Sequence, residues 1–393
     1  MSWQQILILI GSAVLVTFVA TPIVRGLCTR ASLVDGPGGR RMHTTAVPRL
    51  GGIAIFAGFA AALVVEVAGE TWWHWPRAFM GAGSPLLGAA AGLALIFAVG
   101  VVDDVRGLTA GVKFTGQLLA AAIPIAAGLR VEFIGNPLGG GLLQLGLLSY
   151  PVTALWIVGF ANVFNLIDGL DGLAAGVAAI AAASFLVLGV QMNQFLSAVL
   201  AAALIGACIG FLRYNFNPAS IHMGDSGALF IGFALACMSL QGVMKSAAAF
   251  TLVVPLLVIG VPVFDTGSAI IRRWLHGRPI HEADNGHIHH RLMHRGFSQR
   301  QTVLIIYIWS GSLALGGYAM RLVPIVARIG VFALMAVLSG LMASWLGLFE
   351  KARVHGDGKD EAEEDLRANK PSSRRAAPRL RSPRAHSPHR HSA

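Results

Sequence analysis

Charge is scarce in this sequence: Asp, Glu, Lys and Arg make up 12% of its 393 residues, about half the share of an ordinary soluble domain. That scarcity excludes a water-soluble fold for most of the chain. Cysteine is scarcer still. Cys28, Cys208 and Cys237 lie in or beside apolar segments without CxxC spacing, which argues against a disulfide framework or a cysteine zinc site. No internal repeat of fixed period is present, so the matching halves of a secondary transporter are missing. The first apolar stretch lacks a basic n-region and a small-residue cleavage site, and is read as a retained helix rather than a signal peptide.

What the chain has in abundance is apolar sequence, at 55% hydrophobic residues. Stretches of bilayer-crossing length fall at about 5–24, 51–69, 86–102, 114–129, 151–167, 173–190, 196–212, 226–243, 248–270, 302–322 and 324–349. The expected fold is therefore all-α and polytopic, with about eleven transmembrane helices. Lys and Arg set the orientation, because positive loops stay in the cytoplasm. With the N-terminus outside, fourteen cations fall on inner loops, among them Arg25, Arg30, Arg40, Arg41, Arg49, Arg106, Lys113 and Arg213, against five on outer loops. The C-terminus is then cytoplasmic. Two regions are expected: a multi-span membrane domain over 1–349, and a disordered basic tail over 350–393 whose Ser, Pro, Arg and His cannot form a core. Its arginines could touch anionic headgroups, although a solvated tail without essential role is the simpler reading.

In so apolar a chain the acids carry the information, since a carboxylate at mid-bilayer costs about 2.5–3.5 kcal/mol. Twelve lie within 1–349, and Asp103, Asp104, Asp168, Asp171, Asp225, Glu282 and Asp284 fall in or next to inner loops, with Asp35 on the same side. Any one alone is best read as a helix-end residue preferring water. Five loops sending Asp to one face is a different matter, because carboxylates are the ligands magnesium takes, usually shared with substrate phosphates. Lys113 offers phosphate a point charge and the arginines a planar fork. Adjacent carboxylates at Asp103 and Asp104 point about 100° apart on a helix, so they can serve different partners. Asn165, Asp168 and Asp171 share one face at i, i+3 spacing. Asp225 follows the polar run Asn215-Phe-Asn-Pro-Ala-Ser-Ile-His222-Met-Gly224, where an N-cap is an even rival to a ligand role. The last loop holds His281, His287, His289, His290 and His294 beside Arg291 and Arg295. Zinc is one reading of it, phosphate the better one.

Together these motifs resemble the polyprenyl-phosphate N-acetylhexosamine-1-phosphate transferase family, in its UDP-GlcNAc:undecaprenyl-phosphate branch, with the phospho-MurNAc-pentapeptide translocase as a cousin. The resemblance covers about 30–315 and rests on Asp35 to His43 with Pro48-Arg49-Leu-Gly51-Gly52, then Asp103-Asp104 with Lys113 to Gln117. It continues through Asn165 to Gly172, Asn215 to Gly227, Pro262 to Asp265, and His287-Ile-His289-His290-Arg291-Leu. It implies a multi-pass enzyme of the cytoplasmic membrane, with its active site on the cytoplasmic face, transferring sugar 1-phosphate from a UDP-sugar to a polyprenyl phosphate and releasing UMP. That reaction is the first lipid-linked step of cell-envelope polysaccharide synthesis. Magnesium is the implied cofactor, with manganese able to substitute.

The same resemblance implies Asp103, Asp104, Lys113, Asp168 and Asp171 as catalytic residues, with Asp225 and Asp171 at the metal. Arg40, His43, Arg49, Asn165, Asn215, His222, His287, His289, His290 and Arg291 are implied in substrate binding. Arg41 stands where many relatives have Lys, and His222 where an aromatic residue often precedes Met-Gly-Asp. The implied partners are both substrates and the lipid bilayer, with a homodimer admitted and no nucleic acid. The rival readings are a pentapeptide-donor transferase, a proton-coupled transporter using Asp265, Glu66 and Asp171, and a non-catalytic scaffold.

Overall fold

The computed structural model describes residues 1–35, 47–77, 83–135, 142–244, 253–275 and 287–347. The expectations for Arg40, Arg41, His43, His281, Glu282, Asp284 and the tail 350–393 lie outside these residues.

Each apolar stretch of the sequence becomes helix. α1 (Trp3–Arg30), α2 (Gly51–Trp72), α3 (Ser84–Arg106) and α4 (Ala110–Ala126) precede a short excursion, and α5 (Ser149–Ile167), α6 (Leu173–Gln191), α7 (Phe195–Asn215) and α8 (Gly224–Met244) follow it. The chain then runs through α9 (Val253–Val258), α10 (Gly260–Leu275), α11 (Ile288–His294), α12 (Gln299–Leu322) and α13 (Ile325–Trp345). Among the described residues, eight helices are long and apolar enough to cross a membrane, while α4 and the stretch Gly260–Ile271 are apolar but shorter. The chain is a helical, multi-pass membrane protein.

Two features depart from an uninterrupted all-helical reading. The stretch expected as one span over 248–270 contains a break between α9 and α10. Pro262 supplies the cause, because it has no N–H for the Val258 carbonyl and its ring crowds that carbonyl. Two small antiparallel ribbons also form: β1 (Val34–Asp35) with β2 (Val47–Pro48), and β3 (Phe133–Gly135) with β4 (Leu142–Gln144). Both lie where the apolar helical pattern stops.

α8 is the buried axis, packed against α2, α3, α5, α6 and α7. Its Phe230 meets Phe59 and Phe56 edge-on, with centroids 5.1 and 5.4 Å apart, and Phe56 stacks on Phe97 at 4.1 Å. Such pairs contribute about 0.5–1.5 kcal/mol each beyond area burial. Lipid tails are as apolar as leucine, so helices in a bilayer associate through close packing instead. The alanines Ala174, Ala175, Ala178, Ala181 and Ala182 of α6, and Ala201, Ala202, Ala203 and Ala207 of α7, are all buried and serve that packing. By contrast, Ile329, Leu334, Val337 and Leu341 of α13 stay more than half exposed, as a lipid-facing helix requires.

Candidate active site

The loops that carry the acids meet at one end of the helical bundle, held there by backbone contacts. Pro48 O accepts from His222 N at 2.8 Å, Gly51 N donates to His222 O at 3.0 Å and Gly52 N to Met223 O at 2.8 Å. The motif Pro48-Arg49-Leu-Gly51-Gly52 thus pairs with the segment leading into α8. A Cβ on Gly52 would stand 2.2 Å from Gly227 N and 2.4 Å from Ser226 Oγ, so only glycine lets α2 approach α8 this closely. Arg49 lies half-buried on the same connection.

Asp103 and Asp104 end α3 and diverge. Asp103 is 7% exposed; its Oδ1 accepts from Leu108 N at 2.7 Å and its Oδ2 pairs with Lys113 Nζ at 2.9 Å. The same ammonium lies 3.0 Å from Asp225 Oδ1, so one cationic centre joins α3, α4 and α8. Asp104 turns the other way, accepting from Asp225 N at 2.8 Å on Oδ1 and from Ser226 N at 2.9 Å on Oδ2. It caps the first turn of α8, where N–H groups have no intrahelical partner and the dipole favours an anion. Gly224 makes room for it, with φ +74° and the Asp104 carboxylate 2.6 Å from where a Cβ would stand.

A second network organises the α5–α6 connection. Asn215 is 3% exposed, accepts from Gly172 N at 3.0 Å and donates to Ile221 O at 2.9 Å. It ties the Asp168–Gly172 turn to the loop before α8. Asp171, also 3% exposed, accepts on Oδ2 from Ala219 N at 3.0 Å and Asn217 Nδ2 at 3.1 Å, while its Oδ1 faces His222 Nδ1 at 3.8 Å. Asn217 further donates to Gln299 Oε1 at 2.7 Å and accepts from Arg300 Nε at 2.9 Å. Asn165 and Asp168 sit half-buried at the end of α5, beside this turn. Beneath the acids, Gln117 of α4 and Asn162 of α5 exchange amide hydrogen bonds at 2.6 and 3.3 Å.

The histidine motif forms α11 and its lead-in. Buried Asp265 accepts from Ile288 N at 2.8 Å on Oδ1 and holds His287 Nδ1 at 3.1 Å on Oδ2, which leaves Nε2 of His287 for other partners. The His287 and His289 rings lie parallel with centroids 5.7 Å apart, and His290 is 4.2 Å from His289. Burial, with the neighbouring His290 and His287 rings adding to it, pushes the His289 imidazole down to about 3, against the opposing pull of Asp265. His289 is therefore neutral and can offer a hydrogen bond but no charge. Arg291 donates to the Gly347 carbonyl and reaches the Leu346 carbonyl at 3.5 Å.

The sequence placed Asp265 in a motif and in the rival proton relay but gave it no transferase role, and it marked neither Asn217 nor Gln299. The first could have been suspected as a buried acid preceding a histidine cluster. Gln299 carries no local signal, because its partner is distant in sequence.

Among the described residues, no three His, Cys, Asp or Glu side chains come together as a metal cluster. Asp103 and Asp225 do converge on one cationic point. Carboxylates completed by substrate phosphates are the donor set that magnesium accepts, and Asp225, with its side chain 31% exposed, is open to such a cation.

Comparison with known proteins agrees with this geometry. Residues 86–243 match the family described as glycosyl transferase family 4, a stretch running from α3 to the end of α8. The chain is 36% identical over 337 residues to a probable undecaprenyl-phosphate N-acetylglucosaminyl 1-phosphate transferase of Bacillus subtilis (strain 168), covering 86% of this chain and 90% of that protein. It is 37% identical over 335 residues to a decaprenyl-phosphate N-acetylglucosaminephosphotransferase of Mycolicibacterium smegmatis, covering 79% and 81%. It is also 34% identical over 343 residues to a phospho-N-acetylmuramoyl-pentapeptide-transferase of Desulforudis audaxviator, covering 80% and 97%. With motifs, fold and similarity in accord over most of its length, the chain belongs to glycosyl transferase family 4, among the polyprenyl-phosphate sugar-phosphate transferases.

Proposed function

We propose that the chain transfers GlcNAc-1-phosphate, or a close N-acetylhexosamine 1-phosphate, from the UDP-sugar to undecaprenyl or a related polyprenyl phosphate. The observation that carries this reading is the Lys113 ammonium shared by Asp103 and Asp225, with a histidine helix on the next connection. An oxygen of the lipid phosphate attacks the sugar-bearing phosphorus. A new P–O bond forms, the diphosphate bridge breaks, and its electron pair leaves on UMP. Catalysis of such a transfer is mainly positioning and neutralisation.

In this reading Lys113, oriented by its ion pair with Asp103, holds the acceptor phosphate, and Asp104 keeps Asp225 aimed by capping α8. Asp225 would hold magnesium, or manganese in its place, and Asp171 would complete the surroundings of the ion. The ion would neutralise charge on the donor diphosphate. Asn165, Asp168 and His222 serve the nucleotide side, and Asn215 fixes the loop that carries them. His287, His289 and His290 offer hydrogen bonds to the pyrophosphate, with Arg291 beside them and Arg40, His43 and Arg49 as further contacts. On this reading the chain crosses the cell membrane about eleven times with its N-terminus outside, and this end of the bundle faces the cytoplasm. A basic tail then follows the 1–349 catalytic region.

Donor choice is the sharpest test. Competition between radiolabelled UDP-GlcNAc and UDP-MurNAc-pentapeptide, scored as lipid-linked product, is expected to give GlcNAc product almost alone. Preferential pentapeptide transfer would overturn the branch and keep the reaction class. Absence of UMP release with either donor would favour the transporter reading.

A further inference from the structure

α11 has only the seven residues Ile288–His294, far too few for a helix to persist without tertiary support. Its N-terminal side is held by Asp265, through Ile288 N and the His287 ring. Its C-terminal side meets a different element. Arg291 donates to the Gly347 carbonyl and approaches that of Leu346. The Arg295 guanidinium lies 4.6 Å over the Trp345 ring, and Phe297 meets the same ring with centroids 6.2 Å apart.

All three contacts fall on Trp345, the last residue of α13, and on the two residues that follow it. The last carbonyls of a helix have no intrahelical partner and form the negative end of its dipole, so two guanidiniums suit this terminus. Gly347, at φ +64°, turns the chain there. At this terminus Ala343 and Leu346 are at most 2% exposed and Trp345 is 46% exposed, whereas Val337 and Leu341 are about 60% exposed. Most of α13 faces lipid, and its terminus is seated against the segment that follows the histidines.

We infer that the C-terminal turn of α13 is a latch holding α11 in place, with Arg291, Arg295 and Trp345 as positioning residues for the histidines. The inference rests on the transfer reaction proposed above. It gives Arg291 a task distinct from contacting the donor pyrophosphate, and places a requirement of the reaction well beyond the matched stretch 86–243.

The test uses the full-length protein in detergent with magnesium, UDP-GlcNAc and polyprenyl phosphate. Trp345→Ala is expected to lower kcat/KM for the donor about tenfold, mainly through KM, and to speed hydrogen exchange at the amides of 288–294. Trp345→Phe, which keeps a ring under Arg295, should restore most of both. Should Trp345→Ala fail to fold, Arg295→Ala removes the other half of the contact from an exposed position and should produce the same shift. Donor KM or exchange at 288–294 unchanged in a folded variant would overturn the latch, as would strictly additive effects in the Arg295/Trp345 double-mutant cycle. Wild-type protein that releases no UMP would instead sink the reaction, while the exchange data would still judge the latch.

Discussion

The two ends of the bundle treat buried acids in opposite ways. At the site end, Asp103 and Asp225 share the Lys113 ammonium and Asp104 accepts two backbone N–H groups. At the other end Glu66 is fully buried, and its carboxylate receives both hydrogen bonds from the single amide of Gln5, each at 2.9 Å. The site end binds its carboxylates to several helices through charge and main chain, which fixes their direction. The Glu66 carboxylate joins α1 to α2 through a neutral group. Direction matters where a carboxylate must meet a ligand, and much less where it serves a helix pair.

Substitutions can break or sharpen this contrast, and the largest effect is expected at Asp225. Asp225→Asn should reduce transfer by at least ~10³-fold, because removal of a charge that stabilises the transition state is among the costliest single changes to an active site. UMP release with folded protein would measure it, and near-wild-type activity would refute the metal role. Asp104→Ala should come next. Loss of a helix cap that serves two N–H groups costs about 2 kcal/mol of stability, and misplacing Asp225 should lower kcat as well. Thermal melting combined with turnover separates the two effects. A lowered Tm with unchanged kcat would show that the cap does not aim the site.

A smaller effect is expected from acid. The folded imidazole of His289 takes its proton only near about 3, whereas an unfolded histidine takes it near 6.5. Between those values the unfolded state binds the extra proton, so stability falls as pH drops through that window. His289→Gln should flatten the dependence of Tm on pH there by up to one proton. An unchanged slope would mean that His289 is protonated in the fold. The least effect should come from Glu66→Gln at the far end, with kcat/KM within about twofold of wild type, since an amide can still pair with Gln5. Strong loss of transfer would show that the far end of the bundle is coupled to the site.

The helices were readable from sequence because an apolar run of spanning length has few alternatives in a bilayer. Their number as membrane crossings was less so, since α4 and α10 are short and Pro262 divides the ninth stretch into two helices. The ribbons at 34–48 and 133–144 escaped because two or three residues per strand leave no periodicity to detect. At the site, the residue types and their common side of the bundle were legible, and the division of labour was not. Asp103 and Asp104 are chemically identical, and only the position of α8 makes one an ion-pair partner and the other a cap. Asn215 looked like a ligand group, yet both ends of its amide meet backbone from separate loops. Asp265 and Gln299 act across gaps of 22 and 82 residues, which no local pattern records.

The reciprocal amides of Gln117 and Asn162 make two positions into a single unit of variation. A change at Asn162 strands the buried amide of Gln117, and a change at Gln117 strands the half-buried Asn162 oxygen, a loss of about 1–3 kcal/mol. Replacement of both by apolar residues of similar volume removes the polar groups together and can be nearly neutral. Stepwise selection for a sturdier enzyme would reject each first step and never reach the pair. A library meant to explore the α4–α5 seam has to vary 117 and 162 at once.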